Sequence, residues 1–246
     1  MSLRAECITY KYHSGRIPAL DGISYEFVPG RFYGIFGSNG SGKTTLLKTL
    51  AGDINAGKVF VDDRLLNNIP VKERALMLAV AEQENEASLP FTVRECIKLG
   101  CYAAGTFNEK LIDELLSCWQ MNTLQNKMFA ELSGGEKQRV KLLRVLAQNT
   151  PYILLDEPAA SLDWARQLEL YEKLRKLAAD AGKCVIMVCH DLYIAPGFID
   201  EMLLMKSGRL IYSGKPDTAA AGEAVALAFE RNMQISRTGN KVTLSW

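Results

Sequence analysis

Gly37-Ser38-Asn39-Gly40-Ser41-Gly42-Lys43-Thr44 fits G-x-x-x-x-G-K-[ST] with no mismatch. A triphosphate carries several negative charges, and successive backbone N–H groups can ring it only where side chains leave room. Glycine leaves that room and accepts the unusual backbone angles. A helix starting near Lys43 points its positive end at the phosphates. In such a cradle Lys43 reaches the β- and γ-phosphates, Thr44 ligates Mg2+, and Thr45 stands beside them.

Two further segments carry charge chemistry. Tyr152-Ile153-Leu154-Leu155-Asp156-Glu157 reads as an apolar strand ending in two acids. Asp156, at the tip, can hold Mg2+ through water, and Glu157 can polarise a water against the γ-phosphate. General-base help of this kind contributes roughly 10²–10⁴ in rate. Leu132-Ser133-Gly134-Gly135-Glu136-Lys137-Gln138-Arg139 opens a helix, with Ser133 and Glu136 as a capping box. Two glycines at the start of a helix cost roughly 1 kcal/mol each against alanine. Capping does not require them. They make sense if a phosphate from another molecule must approach those N–H groups, which makes this a second anion site.

The elements that position these residues follow from the pattern. Arg31 to Phe36 reads as a strand running into the glycine loop. After Lys43, Leu46, Leu47 and Leu50 mark one side of a helix that ends at Gly52. Val59-Phe60-Val61 and Leu76 to Val80 are further strands. Between Phe91 and about Gln148 the pattern is helical, over Thr92–Ala104, Asn108–Trp119 and Glu136–Gln148, and predicts an inserted lobe. A helix from about Asp163 to Ala181, with Trp164, Leu168, Tyr171, Leu174 and Ala178 on one face, leads to an apolar strand at 184–189. Strand–helix–strand at this spacing implies parallel pairing. Met202 to Tyr212 predicts a hairpin turning at Ser207-Gly208. A helix at 217–229 and a second hairpin, turning at Thr238-Gly239-Asn240, close the chain.

Bulk composition narrows the function classes. The 246 residues are 48% hydrophobic, enough for one or two packed cores. With 29 basic and 28 acidic residues the net charge is +1, which argues against a nucleic-acid partner. Six cysteines without a CxxC pair, and only two histidines, read as buried reduced thiols. No apolar run is long enough to span a bilayer. Met1 to Glu6 shows no hydrophobic signal region, so secretion is not expected. Membrane association is expected through a partner.

Taken together, these segments resemble the ATP-binding cassette (ABC) family over nearly the whole chain. LSGGEKQR, Leu132 to Arg139, matches its signature motif, and the Gly37–Thr44 loop and Asp156-Glu157 match its phosphate loop and acids. Gln83 matches the Q-loop glutamine, Ser161-Leu162-Asp163 the D-loop, and His190 the switch histidine. Tyr12 is the best match to the adenine-stacking aromatic, with Tyr10 the alternative.

The resemblance implies an α/β fold: a P-loop NTPase core with a parallel sheet, an N-terminal antiparallel β-subdomain and an inserted α-helical subdomain. It places the core in 1–90 and 150–215, the helical insertion in 91–149, and a C-terminal helix and hairpin in 216–246. It implies ATP and Mg2+ as ligands. The nucleotide would be held by Tyr12, Gly37, Ser38, Asn39, Gly40, Ser41, Gly42, Lys43, Thr44 and Thr45 of one copy. Ser133, Gly134, Gly135 and Asp163 of a head-to-tail second copy would complete the site. Thr44, Gln83 and Asp156 would serve the metal, and Glu157, His190 and Gln83 the hydrolysis.

A lone cassette resembles prokaryotic importer subunits, and its tail is similar to the iron-chelate, haem and cobalamin group. That likeness implies a peripheral subunit at the cytoplasmic face of the inner membrane. Its partners would be an integral membrane permease, met near 83–92, and indirectly a substrate-binding protein. A soluble ABC ATPase acting in iron–sulfur cluster or other complex assembly would carry the same motifs.

Overall fold

The computed structural model describes residues 1–13, 17–81, 90–105, 107–160, 162–230, 234–238 and 241–245, without side chains for Ala219 or beyond 230. The first half of the chain forms β1 (Leu3–Tyr10), β2 (Leu20–Phe27), β3 (Phe32–Phe36), α1 (Lys43–Ala51), β4 (Lys58–Val61), β5 (Arg64–Leu65), α2 (Val71–Met77), β6 (Leu78–Ala81), α3 (Val93–Lys98) and α4 (Glu109–Cys118). The second half forms α5 (Gly134–Ala147), β7 (Tyr152–Asp156), α6 (Trp164–Ala181), β8 (Cys184–Val188), β9 (Glu201–Lys206), β10 (Arg209–Gly214), α7 (Ala219–Phe229), β11 (Gln234–Thr238) and β12 (Lys241–Ser245).

The main sheet runs β10-β9-β3-β8-β7-β6, and all neighbours are parallel except β9 with β10. A second, antiparallel sheet runs β2-β1-β4-β5. The fold is therefore α/β, with both sheets and the helices expected from the sequence.

Why the central strands read as unbroken apolar runs is visible in their side chains, because both faces of the main sheet are covered. Phe32 and Phe36 of β3, Ile153 and Leu155 of β7, and Val185 and Met187 of β8 enter one core with α5 and α6. Their neighbours Tyr33, Ile35, Tyr152, Leu154, Cys184 and Ile186 enter the opposite core with α1 and the antiparallel sheet. Period-two alternation thus feeds two cores, and the strand ends between them are fixed from both sides.

Three expectations need correction. The strand expected from Leu76 begins only at Leu78, because Pro70 caps a short helix that takes in Leu76 and Met77. Trp164 does not join the buried face of α6. It is 67% exposed at the first helical position, while Leu170, Tyr171, Leu174 and Ala178 carry that face at helical spacing. Cys7 and Cys118 are exposed, and the other four cysteines are buried.

Candidate functional site

The glycine loop joins β3 to α1 at the carboxyl end of the parallel strands, the place where open α/β sheets bind ligands. Its shape comes from backbone and from close packing. Gly37 has φ 151, and a Cβ there would lie 2.3 Å from the Met205 carbonyl oxygen and 2.6 Å from Ser41 Oγ. Gly42 caps α1 at φ 103, and its Cβ would lie 2.3 Å from the Ala19 carbonyl oxygen. The β9–β10 turn supports the loop from below, since Gly208 N donates to the Ser41 carbonyl at 3.0 Å. Ser41 Oγ is buried and has no hydrogen-bond partner among the described residues.

Lys43 Nζ donates to the carbonyls of Gly37 at 2.9 Å and Ser38 at 3.2 Å. Burial lowers the Lys43 pKa, and the nearby Glu157 and Asp156 carboxylates oppose that shift. Thr44 Oγ1 stands 3.3 Å from Asp156 Oδ1. Burial raises the Asp156 pKa against the lowering effect of that Thr44 contact. A buried carboxylate beside a hydroxyl, both hard oxygen donors, with a lysine close by, fits a hydrated Mg2+.

Glu157 follows β7 in a left-handed conformation, φ 50, which a residue with a Cβ rarely adopts. That turn brings its carboxylate onto His190: Nε2 of the histidine contacts Glu157 Oε1. His190 stands two residues past the end of β8, which pairs with β7.

A cleft of about 570 Å³ opens beside the loop. It is lined by Tyr12, Ile17, Pro18, Asn39, Gly40, Gly42, Lys43, Thr44, Thr45 and Glu157, among others. Tyr12 is 43% exposed at its rim, and its hydroxyl lies 3.3 Å from Thr45 Oγ1. Tyr10 packs against the edge of Tyr12, with ring centroids 4.9 Å apart, and is not among the lining residues. The geometry therefore favours Tyr12 over Tyr10.

One chain thus gathers Tyr12, the loop from Gly37 to Thr45, Asp156, Glu157 and His190. It does not bring the signature residues to that cleft. Ser133 is exposed, caps α5 by accepting from Glu136 N, and is not among the lining residues. A Cβ added at Gly134 would meet nothing within 4 Å. Nothing among the described residues therefore requires that glycine. Asp163 is also exposed and caps α6, its Oδ1 accepting from Arg166 N at 2.9 Å. Gln83, Ser161 and the stretch from Glu84 to Leu89 lie outside the described residues.

Sequence reasoning missed two side chains at this site. Gln138 of α5 donates to the Pro158 carbonyl at 3.4 Å, and Gln167 of α6 donates to the carbonyls of Ala159 and Leu162. A glutamine on a helix carries no local signal of such a role.

The family model described as ABC transporter matches residues 20–160. The chain belongs to the ABC transporter ATP-binding family. This cassette is 38% identical over 230 residues to a hemin import ATP-binding protein of Rhizobium meliloti, covering 88% of this chain and 87% of that protein. It is 36% identical over 239 residues to a protein of the same description from Streptomyces coelicolor, covering 93% and 85%.

Among solved structures, the cassette is similar to a dimeric bacterial ABC transporter cassette, with TM-score 0.78 and 28% identity over 88% of this chain and 99% of that one. It is also similar to a dimeric ATP-binding cassette in a post-hydrolysis state with ADP and Pi, with TM-score 0.79 and the same identity and coverage. The cassette binds ATP and is an ATPase subunit of an ABC transporter.

Proposed function

We propose that this subunit powers import of haem or a related metal chelate through a separate integral membrane permease. Support comes from relatives described as hemin import ATP-binding proteins, which this chain matches along most of its length. On this reading the subunit sits at the cytoplasmic face of the inner membrane, and a substrate-binding protein delivers cargo on the other side. The permease is met near residues 83–92, at the edge of the lobe at 91–149. Phe91, Leu99 and Tyr102 are 36%, 41% and 78% exposed there, and they give it apolar contact surface.

The mechanism follows from the residues in the cleft. Adenine stacks on Tyr12, and the N–H groups of Gly37 to Thr45 surround the phosphates. Lys43 leaves its two carbonyl partners for the γ-phosphate, which it pairs with as a charge-assisted donor. Thr44 and Asp156, with Gln83, would hold Mg2+, which supplies charge neutralisation at the phosphates when bound. Glu157 takes a proton from the attacking water. His190 keeps that carboxylate in place and contacts the γ-phosphate.

The observation that supports the hydrolytic roles is His190 Nε2 resting on Glu157 Oε1 beside the glycine loop. Across a head-to-tail homodimer, Ser133, Gly134 and Gly135 of the second copy close over the nucleotide, and Asp163 reaches over the interface. Gly134, where a Cβ would meet nothing among the described residues, fits the close approach of a partner's phosphate. The test is reconstitution with the permease in proteoliposomes. Haem uptake should require ATP and this subunit. ATP turnover without any response to haem-loaded binding protein would refute the assigned cargo.

A further inference from the structure

The segment between Glu157 and Asp163 is held at more than one carbonyl from outside. Gln167 Nε2 donates to Ala159 O at 3.2 Å and to Leu162 O at 3.1 Å. Both partners are acceptors only, so the amide nitrogen must face them. Both amide hydrogens of Gln167 are thereby used on this one segment. The first turn of α6 places the side chain, and Gln167 N completes the helix start by donating to Asp163 O at 2.9 Å. Within the segment, Leu162 N donates to Ala159 O at 3.1 Å and Ala160 N to Glu157 O at 3.2 Å. These bonds connect the backbone of Glu157 to that of Asp163. Glu157, His190 and Gln167 line one small cavity of about 60 Å³ together with Ala159 and Ala160. The position of the Glu157 carboxylate rests on the His190 contact, on its own left-handed turn and on the segment that follows.

We propose that Gln167 is a positioning residue for hydrolysis, tying the carbonyls of Ala159 and Leu162, which lie between Glu157 and Asp163, to α6. Displacement of Asp163 by the second copy then sets the carboxylate of Glu157. This rests on the roles assigned above to Glu157 and Asp163. Gln167 acts through the segment it holds.

The test uses the full chain under single-turnover conditions, at concentrations where the ATP-bound dimer forms. In Gln167→Ala and in the near-isosteric Gln167→Glu, which cannot donate, the hydrolysis rate should fall about tenfold from the loss of two hydrogen bonds. ATP affinity should change less than twofold. Asp163→Ser retains an N-cap for α6 and removes the carboxylate. Combined with Gln167→Ala it should be non-additive, the double variant hydrolysing within twofold of the slower single variant.

Full additivity would overturn the proposal, and so would equal losses in affinity and rate. Glu157→Gln is measured alongside. If it hydrolyses normally, the assignment of the base has failed. If it is inactive while both Gln167 variants hydrolyse at the wild-type rate, only the positioning role has failed.

Discussion

Thr44 Oγ1 and Asp156 Oδ1 lie 3.3 Å apart although 112 residues separate them in the chain. Thr44 opens α1 after the loop that follows β3, Asp156 ends β7, and β8 lies between β3 and β7. The contact is made beyond the strand ends, where the glycine loop folds back over the sheet. This is where a metal must sit if it is to serve both the phosphates and the acid.

Burying Asp156 has a cost in stability. Burial holds the Asp156 carboxyl above its ordinary range, so the folded chain binds the proton more tightly than the unfolded chain. Stability therefore declines as pH rises from the ordinary Asp value of about 4 through the raised folded value. Asp156→Asn removes the buried charge and keeps an acceptor for Thr44. Its Tm should rise by about 2–4 °C at neutral pH for each kcal/mol relieved. The gain should vanish as pH falls to about 4. Calorimetry across that range checks it, and turnover should be lost at every pH.

Glu157→Gln should leave ATP affinity intact and lower hydrolysis by roughly 10²–10⁴. The ATP-bound dimer should persist, because the step that opens it is blocked. Size-exclusion chromatography with and without ATP reads the dimer, and phosphate release reads the chemistry. Near-normal phosphate release would remove Glu157 from its role.

Tyr12→Ala should weaken ATP binding by stacking energy of about 1–3 kcal/mol, while Tyr12→Trp retains affinity. Tyr10→Ala should leave the nucleotide Kd much closer to wild type, since that ring braces Tyr12 without lining the cleft. Titration with a fluorescent nucleotide separates the two. An unchanged Kd in Tyr12→Ala would show that the base lies elsewhere.

Ser133→Arg places a large side chain at an exposed helix cap outside the cleft of its own chain. Each monomer should bind ATP as before, and the ATP-dependent dimer should not form. Normal hydrolysis by that variant would contradict a site shared between two copies.

Much of this site was legible in the sequence because its chemistry lies in short contiguous runs. Gly37 to Thr44 states its backbone needs through its glycines, and Ser133 with Glu136 states a helix start. Asp156 and Glu157 announce themselves as acids after an apolar strand. Other features arise only from the three-dimensional arrangement. The apolar run 76–80 hides a change from helix to strand at Leu78, because a helix end and a buried strand look alike over so few residues. Trp164 looks like a core residue by type and is exposed because it sits at the first helical position. Gln167 and Gln138 became visible only through their carbonyl partners. The strand order, with β8 inserted between the two functional strands, is likewise set by packing of both sheet faces and not by any local pattern.

The support under the glycine loop has a consequence for biosynthesis. Met205 O and Gly208 N, against which Gly37 and Ser41 pack, are made long after the loop itself. A ribosome that has released residues up to 200 has exposed the whole phosphate-binding motif without the turn that shapes it. Arrested nascent chains of that length should therefore fail to retain a labelled ATP analogue that the finished protein holds.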